Sequence, residues 1–497
     1  MKFIKSLSIL ILITIITQLF MMIRTMLMAK HFGVSPEMDA YNLANILTVS
    51  TMSIISAAIT TILIPELSKN EVSIQSKAAI STFTTLIGII GIIFTLVFVS
   101  LGQEILGIFM GNYNHSIQML TFQLTLILIF SQLFKIYTSI ATAFLQTEEN
   151  FVAPKISALA AALVSISCFL FISDPSMIEV TFFLGISFAI ETIFLFFSKR
   201  KENKKTKISF QFNNPIFRML MRNTIPIIMS SAAFQFSLVF SNFMASRFGK
   251  GYISILGYSN QLVTIFHSLI ILNIIMMLYP SLAKKFNQSI GEAKTMLVNY
   301  ITATNMLVIP IVFGFFAIGD LLIELLFQRG NFTSKDTYQV YLMSSLLFVA
   351  FPFNTARDYI YRSFYSIQDT RTPARNSLLV VFISILLIIA LAPILNIYSI
   401  VVGPVLASIL SLMLAWYKLK MKIGIIDEKK IIIKNHVFFS LYGFLMYTVL
   451  FLIKKNIYKF HMNTLGELIL LVLVGVVLFA LLTYSTHKSV IKQMFKK

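Results

Sequence analysis

The chain of 497 residues is 57% hydrophobic and only 12% charged, with a mean hydropathy of +0.84. This composition excludes a water-soluble globular protein, because a soluble core of that length cannot bury so much apolar surface. The formal net charge of +20 does not indicate nucleic-acid binding, because the basic residues lie between long apolar runs. The single cysteine, Cys168, excludes an internal disulfide and a four-cysteine metal site, and we expect it to pack as a small apolar side chain.

Fourteen apolar runs are long enough to cross a hydrocarbon core of about 30 Å as helices. Their approximate spans are 6–28, 40–63, 78–101, 119–145, 154–173, 177–198, 223–246, 254–278, 296–319, 338–361, 377–396, 398–417, 436–453 and 465–485. An all-helical polytopic membrane protein is predicted, because each segment in lipid must satisfy its own backbone hydrogen bonds. The first run follows Lys2 and Lys5, but its length and Arg24 indicate a retained helix and not a cleaved signal peptide.

The basic residues predict the orientation of these helices. Most of the 40 Lys and Arg fall in segments that lie inside when the amino terminus is inside, which predicts that both termini are cytoplasmic. The richest of these segments are "KRKENKKTK" at 199–207, "KLKMK" at 418–422 and the tail "HKSVIKQMFKK" at 487–497. We expect them to set the orientation and to attract anionic lipids. A site for a specific partner is the alternative.

Three motifs of the first half recur in the second half at a nearly constant offset. "MAKHFG" (28–33) returns as "MASRFG" (244–249), "IPELSK" (64–69) as "YPSLAK" (279–284), and "AFLQTEENFVAPK" (143–155) as "SFYSIQDTRTPAR" (363–375). Each copy follows the equivalent predicted helix. The sequence therefore predicts two parallel six-helix repeats, standing the same way up around a central cavity, as in a transporter. A duplication retained only for packing is the alternative.

The repeat predicts four parts of the chain. They are an N-terminal six-helix bundle at 1–198, a basic cytoplasmic linker at 199–222, a C-terminal six-helix bundle at 223–417, and two additional helices with a basic tail at 418–497. Charged residues inside the predicted spans favour a function beyond packing, because such residues are costly in a membrane.

The stretch "RTMLMAKHFGVSPEMDAYNLANIL" at 24–47 resembles the start of the MurJ/MviN lipid II flippases of the MOP superfamily. "LFQRGNFTSKDT" at 326–337 and "FYSIQDTRTP" at 364–373 resemble second-half loops of the same family. The resemblance implies a flippase that moves an undecaprenyl-pyrophosphate-linked glycan, lipid II in this family, from the inner to the outer leaflet by alternating access. It places the headgroup in the central cavity and the lipid tail near the last two helices. We expect a monomer without a cofactor.

The chain departs from that family at five positions. Arginines are typical of the family where this sequence has Gln18, Met52 and Gln261, an acid where it has Thr25, and a glutamate where it has Ala57. A pyrophosphate needs cationic hydrogen-bond donors, so the missing arginines remove much of the expected binding. The departures leave open whether the cargo is lipid II or another lipid-linked sugar.

Two basic residues inside predicted spans are candidates for binding the cargo phosphate. Arg24 matches the family, and its alternative role is to extend towards the membrane interface. Lys135 has no family equivalent, and its alternative role is to pair with Glu191. Glu191 is itself a candidate for coupling to a proton or cation, or it is a neutral hydrogen-bonded acid.

Polar residues of both halves complete the predicted substrate cavity. Asn45, Asn260 and Gln261 suit sugar hydroxyls, with ordinary interhelical hydrogen bonds as the alternative. Arg357 and Asp358 are adjacent on one helix and are expected to point about 100° apart without pairing; Asp358 is expected to pair with Arg362, four residues on.

Asp39 matches the family, but we interpret it first as the N-cap of its own helix.

The sequence contains neither an H-E-x-x-H motif nor a P-loop, so we expect no enzyme activity, no metal and no nucleotide. Three alternatives to a lipid II flippase stay open at this point. The first is a flippase for an exopolysaccharide or another surface-polymer repeat unit. The second is a cation-coupled multidrug exporter, and the third is a membrane scaffold that does not transport.

Overall fold

A computed structural model of the chain describes residues 2–67, 73–199, 208–424, 429–457 and 463–495. These residues are helical almost throughout and contain no strand. The helices are α1 (Lys2–Phe32), α2 (Pro36–Leu67), α3 (Ile74–Phe109), α4 (His115–Thr147), α5 (Val152–Phe171), α6 (Met177–Lys199), α7 (Pro215–Phe248), α8 (Tyr252–Phe266), α9 (Leu272–Gln288), α10 (Ile290–Phe327), α11 (Ser334–Val349), α12 (Phe351–Ser366), α13 (Arg371–Leu395), α14 (Ser399–Ile423), α15 (Lys429–Ile457) and α16 (Thr464–Phe495).

The predicted all-helical polytopic fold with fourteen helices is confirmed in the described part of the chain. α8 and α9 form one rod through a π-helical turn, His267–Ile271, and α11 and α12 are separated only by Ala350. Eleven described stretches are long and apolar enough to cross a membrane, with α13 and α14 counted as one stretch, Arg371–Ile423. α11 and α12 have 16 residues each, about 24 Å, which is too short for either to span alone.

The repeated motif "MAKHFG" and "MASRFG" is a helix-ending signal in both places. Gly33 follows the last residue of α1 with φ 58°, and Gly249 follows the last residue of α7 with φ 146°. Residues with a side chain rarely adopt these angles, so glycine at the end of the motif allows the chain to leave the helix.

The chain divides into two compact units, Met1–Ser254 and Ile255–Lys497. In the first unit, α4 packs against α2 and α6, and α5 packs against α1 and α6. In the second unit, α13 pairs with α14, and α10 packs against both α15 and α16. The predicted boundaries at 198, 222 and 417 stay predictions, and residues 200–207 of the predicted linker lie outside the described residues.

Each unit has its own apolar core. In the first unit the core includes Ile59, Leu63, Phe83 and Phe144, and Met52 belongs to it with 2% of its surface exposed. In the second unit the core joins α10 to the last two helices, through residues that include Ile309, Phe439, Met446 and Leu471. Cys168 is fully buried in α5 as a free thiol, which agrees with the apolar packing role expected for it.

The α13–α14 pair depends on a glycine at its closest approach. A Cβ added at Gly403 would lie 2.9 Å from the backbone nitrogen of Ile388, which cannot move aside as a side-chain tip can. We expect Gly403→Ala to destabilise the protein by about 1–3 kcal/mol, as overpacking typically does. Thermal unfolding of the purified chain measures the effect.

Gly107→Ala in α3 is the matched control for that substitution. No atom would lie within 4 Å of its added Cβ, so this variant is expected to match or slightly exceed the unmodified chain in melting temperature. Equal melting temperatures for both alanine variants would contradict the proposed close contact.

Candidate functional site

Lys135 on α4 and Glu191 on α6 form an ion pair within the first unit. Lys135 Nζ lies 2.5 Å from Glu191 Oε2, and the two side chains are 29% and 9% exposed. Lys135 Nζ also lies 4.7 Å from the centre of the Phe188 ring, which attracts a cation through its π face. The structure thus brings together the two charged residues for which the sequence allowed a pairing.

The ion pair is part of a polar seam between α4 and its neighbours. Thr138 Oγ1 lies 3.1 Å from Thr192 Oγ1 on α6, one turn from the ion pair. Ser139 donates a hydrogen bond of 2.8 Å to Ser56 on α2. Small hydroxyl side chains allow helices in a membrane to approach closely and to bond across the interface. Lys135 is therefore surrounded by hydrogen-bonding groups and is not an isolated charge.

Arg24 on α1 retains an unused donor. Its side chain is half-buried, and its Nε is buried without a hydrogen-bond partner among the described residues. The next residue, Thr25, is buried and donates to the carbonyl oxygen of Met21 at 3.0 Å. A buried guanidinium nitrogen without a hydrogen-bond partner is costly, and an anionic ligand would compensate that cost.

Asn45 is half-buried on α2. One turn earlier, Asn42 has a buried side-chain nitrogen that lacks a partner in the described part of the chain. Polar side chains therefore lie on this part of α2.

The interpretation of Asp39 as the cap of its own helix is wrong. Ser35 caps α2, since its Oγ accepts from the backbone N–H of Met38 at 3.2 Å. Asp39 lies in the first turn of α2, is fully buried, and accepts hydrogen bonds from the backbone N–H groups of Gly251 (2.5 Å) and Ser254 (2.7 Å). It therefore caps the start of α8, about 215 residues along the chain.

Two hydroxyl groups complete the bonds to the Asp39 carboxylate. Ser254 Oγ donates at 2.6 Å and Tyr113 Oη at 2.7 Å. Burial, the negative charge of Asp39 and this hydrogen bond all raise the pKa of Tyr113, so its phenol stays a donor. The carboxylate thus uses all its acceptor capacity to hold one loop and one helix start in place.

In the second unit, Asp358 lies between two basic side chains. Its Oδ1 is 3.7 Å from Arg357 Nη2, and its Oδ2 is 3.9 Å from His267 Nε2. The expectation that Arg357 and Asp358 do not pair is therefore wrong: these side chains are long enough to meet although their Cα–Cβ bonds diverge. The expected pairing of Asp358 with Arg362 is also wrong. The Arg362 guanidinium instead lies 4.9 Å from the centre of the Tyr279 ring.

Arg357 resembles Arg24 in keeping a buried Nε without a partner among the described residues. His267 is the first residue of the π-helical turn in the α8–α9 rod, and such turns are frequent at functional sites. Asn260 and Gln261 lie half-buried on α8, one to two turns before it.

Two ion pairs were not predicted from the sequence. Lys454 bonds both carboxylate oxygens of Asp320 at 2.5 Å, and Lys422 lies 2.9 Å from Asp369 Oδ2. The partners in each pair are separated by more than 50 residues, so no local spacing indicates them. Within the second unit, the first pair ties the last turn of α15 to α10, and the second ties the last turn of α14 to the turn between α12 and α13.

Asp369, in the turn between α12 and α13, gives stability a pH dependence. Burial alone would raise the pKa of this carboxyl group, but hydrogen bonds from the Thr372 hydroxyl and amide and the Lys422 charge lower it to about 2. A carboxyl group whose pKa is lowered by folding stabilises the protein above its unfolded pKa of about 3.9, and this contribution disappears as the pH falls towards 2.

We therefore expect the unmodified chain to melt at a higher temperature than Asp369→Asn at pH 6, with the difference shrinking between about pH 4 and pH 2. Melting temperatures of both proteins across this range measure it. A difference that stays constant down to pH 2 would contradict the lowered pKa.

The model of the lipid II flippase MurJ family matches residues 28–484 of this chain. The chain belongs to the lipid II flippase MurJ family. A probable lipid II flippase MurJ of Rickettsia prowazekii is 27% identical over 429 residues, which cover 84% of this chain and 83% of the relative. Another, from Buchnera aphidicola subsp. Baizongia pistaciae, is 24% identical over 402 residues, which cover 77% of each chain.

Solved structures support the same fold. A lipid II flippase MurJ in an inward closed conformation superposes with a TM-score of 0.81 at 20% identity, covering 97% of this chain and 99% of that one. An inward-facing multidrug resistance transporter of the MATE family, also of the MOP superfamily, gives a TM-score of 0.68 at 11% identity, covering 83% of this chain and 96% of that one. The predicted MurJ resemblance is confirmed, and the multidrug alternative is not favoured.

Membership of the MurJ family makes the chain a transporter by family and gives a structural context to one departure. Met52, one of the positions at which the resemblance implies an arginine, packs in the apolar core of the first unit. Gln261, by contrast, is half-buried on α8. Met52 therefore contributes to core packing and does not face an open cavity.

Proposed function

We propose that this chain is a flippase that moves lipid II from the inner to the outer leaflet of the bacterial plasma membrane by alternating access. The observation that carries the proposal is the MurJ family match, which extends over nearly the whole chain from residue 28 to residue 484. The all-helical polytopic fold is the architecture that such transport requires.

In the first half, Lys135 and Arg24 bind the pyrophosphate of the cargo. Lys135 Nζ lies 2.5 Å from Glu191 Oε2, and a phosphate oxygen competes with that carboxylate for the ammonium group. Each charge-assisted hydrogen bond contributes about 1.5–3 kcal/mol, so two cations compensate part of the charge lost at Gln18, Met52 and Gln261.

Glu191 has a second role under this proposal. When Lys135 turns to the phosphate, the buried carboxylate loses its partner and takes up a proton or a cation, because an unpaired charge at 9% exposure is costly. Glu191 then couples cargo binding to ion uptake.

The sugar is bound by uncharged groups. Asn45 on α2 and Asn260 and Gln261 on α8 donate and accept hydrogen bonds with its hydroxyls, since amides match both roles. In the second half, Arg357 and Asp358 give a further charged contact, and the unused Nε of Arg357 supports its role as a donor.

The surrounding membrane completes the proposal. Both termini are cytoplasmic, as the excess of Lys and Arg in the inside segments indicates, and those segments attract anionic lipids of the inner leaflet. The protein works as a monomer, without a cofactor and without catalysing a covalent step.

Rescue of a bacterium depleted of its own lipid II flippase tests this function. We expect the chain to restore growth, and the variants Arg24→Ala and Lys135→Ala to reduce the rescue at equal membrane abundance. Failure of an abundant, membrane-inserted chain to rescue would exclude lipid II and favour another lipid-linked glycan. Full rescue by both alanine variants would instead contradict the assigned phosphate contacts while leaving the flippase function in place.

A further inference from the structure

A short non-helical segment, residues 208–212, lies between the predicted basic linker and α7 and is held against α3. The backbone N–H of Ser209 donates to Thr85 Oγ1 at 3.3 Å, and that of Gln211 donates to Thr82 Oγ1 at 3.1 Å. Thr82 Oγ1 also donates to Ser209 Oγ at 3.2 Å. The segment is therefore fixed by its backbone to one face of α3.

The chain then follows α3 towards its first turn. Asn214 donates from Nδ2 to the carbonyl oxygen of Gln75 at 2.9 Å, and its Oδ1 caps α7 by accepting from the N–H of Ile216. Between Thr85 and Gln75, ten residues apart on α3, the helix rises about 15 Å. Ser209 therefore lies farther from the N-terminal end of α3 than Asn214 does.

This contact involves an apolar stretch of α3. Thr82 and Thr85 belong to the apolar stretch Ile74–Phe109, which is long enough to cross a membrane. Backbone N–H groups beside such a stretch need partners other than water where lipid surrounds it, and the two threonine hydroxyls supply them. The hydrogen bonds to α3 are the arrangement expected of a segment that enters the lipid interface.

The side chains that alternate with these bonds are apolar and point away from the protein. Ile208, Phe210 and Phe212 are 81%, 58% and 48% exposed. The rings of Phe210 and Phe212 lie 6.2 Å apart, and Phe212 rests 5.7 Å from buried Phe217. Amphipathic aromatic segments of this kind favour the boundary between headgroups and acyl chains.

The charges on either side of the segment are basic. Residues 199–207 carry six Lys or Arg and one Glu in sequence. Arg218 and Arg222 follow on the first turns of α7 and are exposed. Apolar side chains flanked by clustered cations are complementary to a membrane surface with anionic headgroups.

We propose that residues 208–212 form an interfacial anchor, in which Ile208, Phe210 and Phe212 insert among the lipids while the run 199–207 binds anionic headgroups. The leaflet is the inner one under the orientation proposed above. The insertion does not depend on which cargo is transported, and its test uses no transport measurement.

Tryptophan fluorescence in nanodiscs of phosphatidylglycerol and phosphatidylcholine tests the anchor. The single tryptophan is replaced first, as Trp416→Phe, and Phe210→Trp is added. We expect phosphatidylcholine brominated near the headgroup end of its acyl chains to quench this tryptophan at least twofold more than Lys335→Trp, a control on the exposed first turn of α11. Ile208→Trp is the second probe if Phe210→Trp does not fold.

Aqueous iodide gives the opposite test. We expect it to quench the tryptophan at 335 and to leave that at 210 largely unaffected. Quenching at 210 by iodide and not by brominated lipid would overturn the anchor. Protection of the tryptophan at 210 from both agents in the nanodiscs would place the segment against protein and would overturn the anchor equally.

The charge contribution is tested in the same nanodiscs. Replacing Lys201, Lys204, Lys205 and Lys207 by Gln is expected to reduce the quenching by brominated lipid at least twofold when phosphatidylglycerol is present. In phosphatidylcholine alone the change is expected to be small. An equal effect in both lipids, or none in either, would overturn the assignment of anionic headgroups.

Discussion

Replacing Asp39 by Ala is expected to destabilise the protein by about 4 kcal/mol, among the largest effects that a single substitution produces. The buried carboxylate accepts bonds from Tyr113 Oη, the N–H of Gly251, and the N–H and Oγ of Ser254. Alanine leaves the N–H groups of Gly251 and Ser254 buried without a partner, at a cost of about 1–3 kcal/mol each before relaxation. The hydroxyls of Tyr113 and Ser254 keep only long contacts, to the carbonyl oxygens of Gly249 at 3.4 Å and Ser35 at 3.5 Å. Thermal unfolding of the purified chain and its abundance in membranes measure the loss.

Asp174→Ala is the matched control, because the Asp174 side chain is fully exposed and its neighbour is His31 at 3.7 Å. This variant is expected to melt like the unmodified chain. Asp39→Asn should lie between the two, since an amide keeps one acceptor oxygen but presents its NH₂ group to donors. Equal stability of Asp39→Ala and Asp174→Ala would show that the carboxylate is dispensable.

The second large effect is expected on transport. Lys135→Gln should reduce rescue of the flippase-depleted bacterium at least tenfold, because it removes a cation assigned to the cargo phosphate and leaves Glu191 buried without a counter-charge. Removing one partner of a buried ion pair typically costs 3–5 kcal/mol of stability, so melting temperature and membrane abundance are measured together with growth.

The double variant Lys135→Gln/Glu191→Gln separates the loss of transport from the loss of stability. It removes both charges, so stability should recover towards that of the unmodified chain, while transport should stay low because the cation is still absent. Glu191→Gln alone should retain more transport than Lys135→Gln. Recovery of transport in the double variant would contradict phosphate binding by Lys135 and leave it only a structural role.

The helices were predictable because their signal is local. Twelve predicted spans lie within or closely overlap one described helix, as 119–145 lies inside His115–Thr147. The other two, 254–278 and 338–361, each cover two consecutive helices. Lipid selects long apolar runs, and the period and length of such runs are visible in the sequence alone. The pairing of Lys135 with Glu191 was foreseeable as one alternative, because few other charges occur inside the spans to compensate either residue.

The errors concern residues whose partners are remote or whose side chains are long. Asp39 looked like a cap of α2, but its donors lie near residues 113 and 251–254, which no local spacing indicates. Arg362 was assigned to Asp358 by helical spacing, yet it lies over the ring of Tyr279. Such choices depend on tertiary packing, where an aromatic face competes with an exposed ion pair that contributes little.

The burial of Cys168 simplifies the chemistry of future labelling. A thiol without exposed surface is shielded from water-soluble maleimides, and the chain has no second cysteine to react. Single cysteines can therefore be introduced one at a time into this sequence, and each is then the one thiol that water-soluble maleimides can reach. Reading which side of a cell membrane each engineered thiol faces then requires no cysteine-free parent protein.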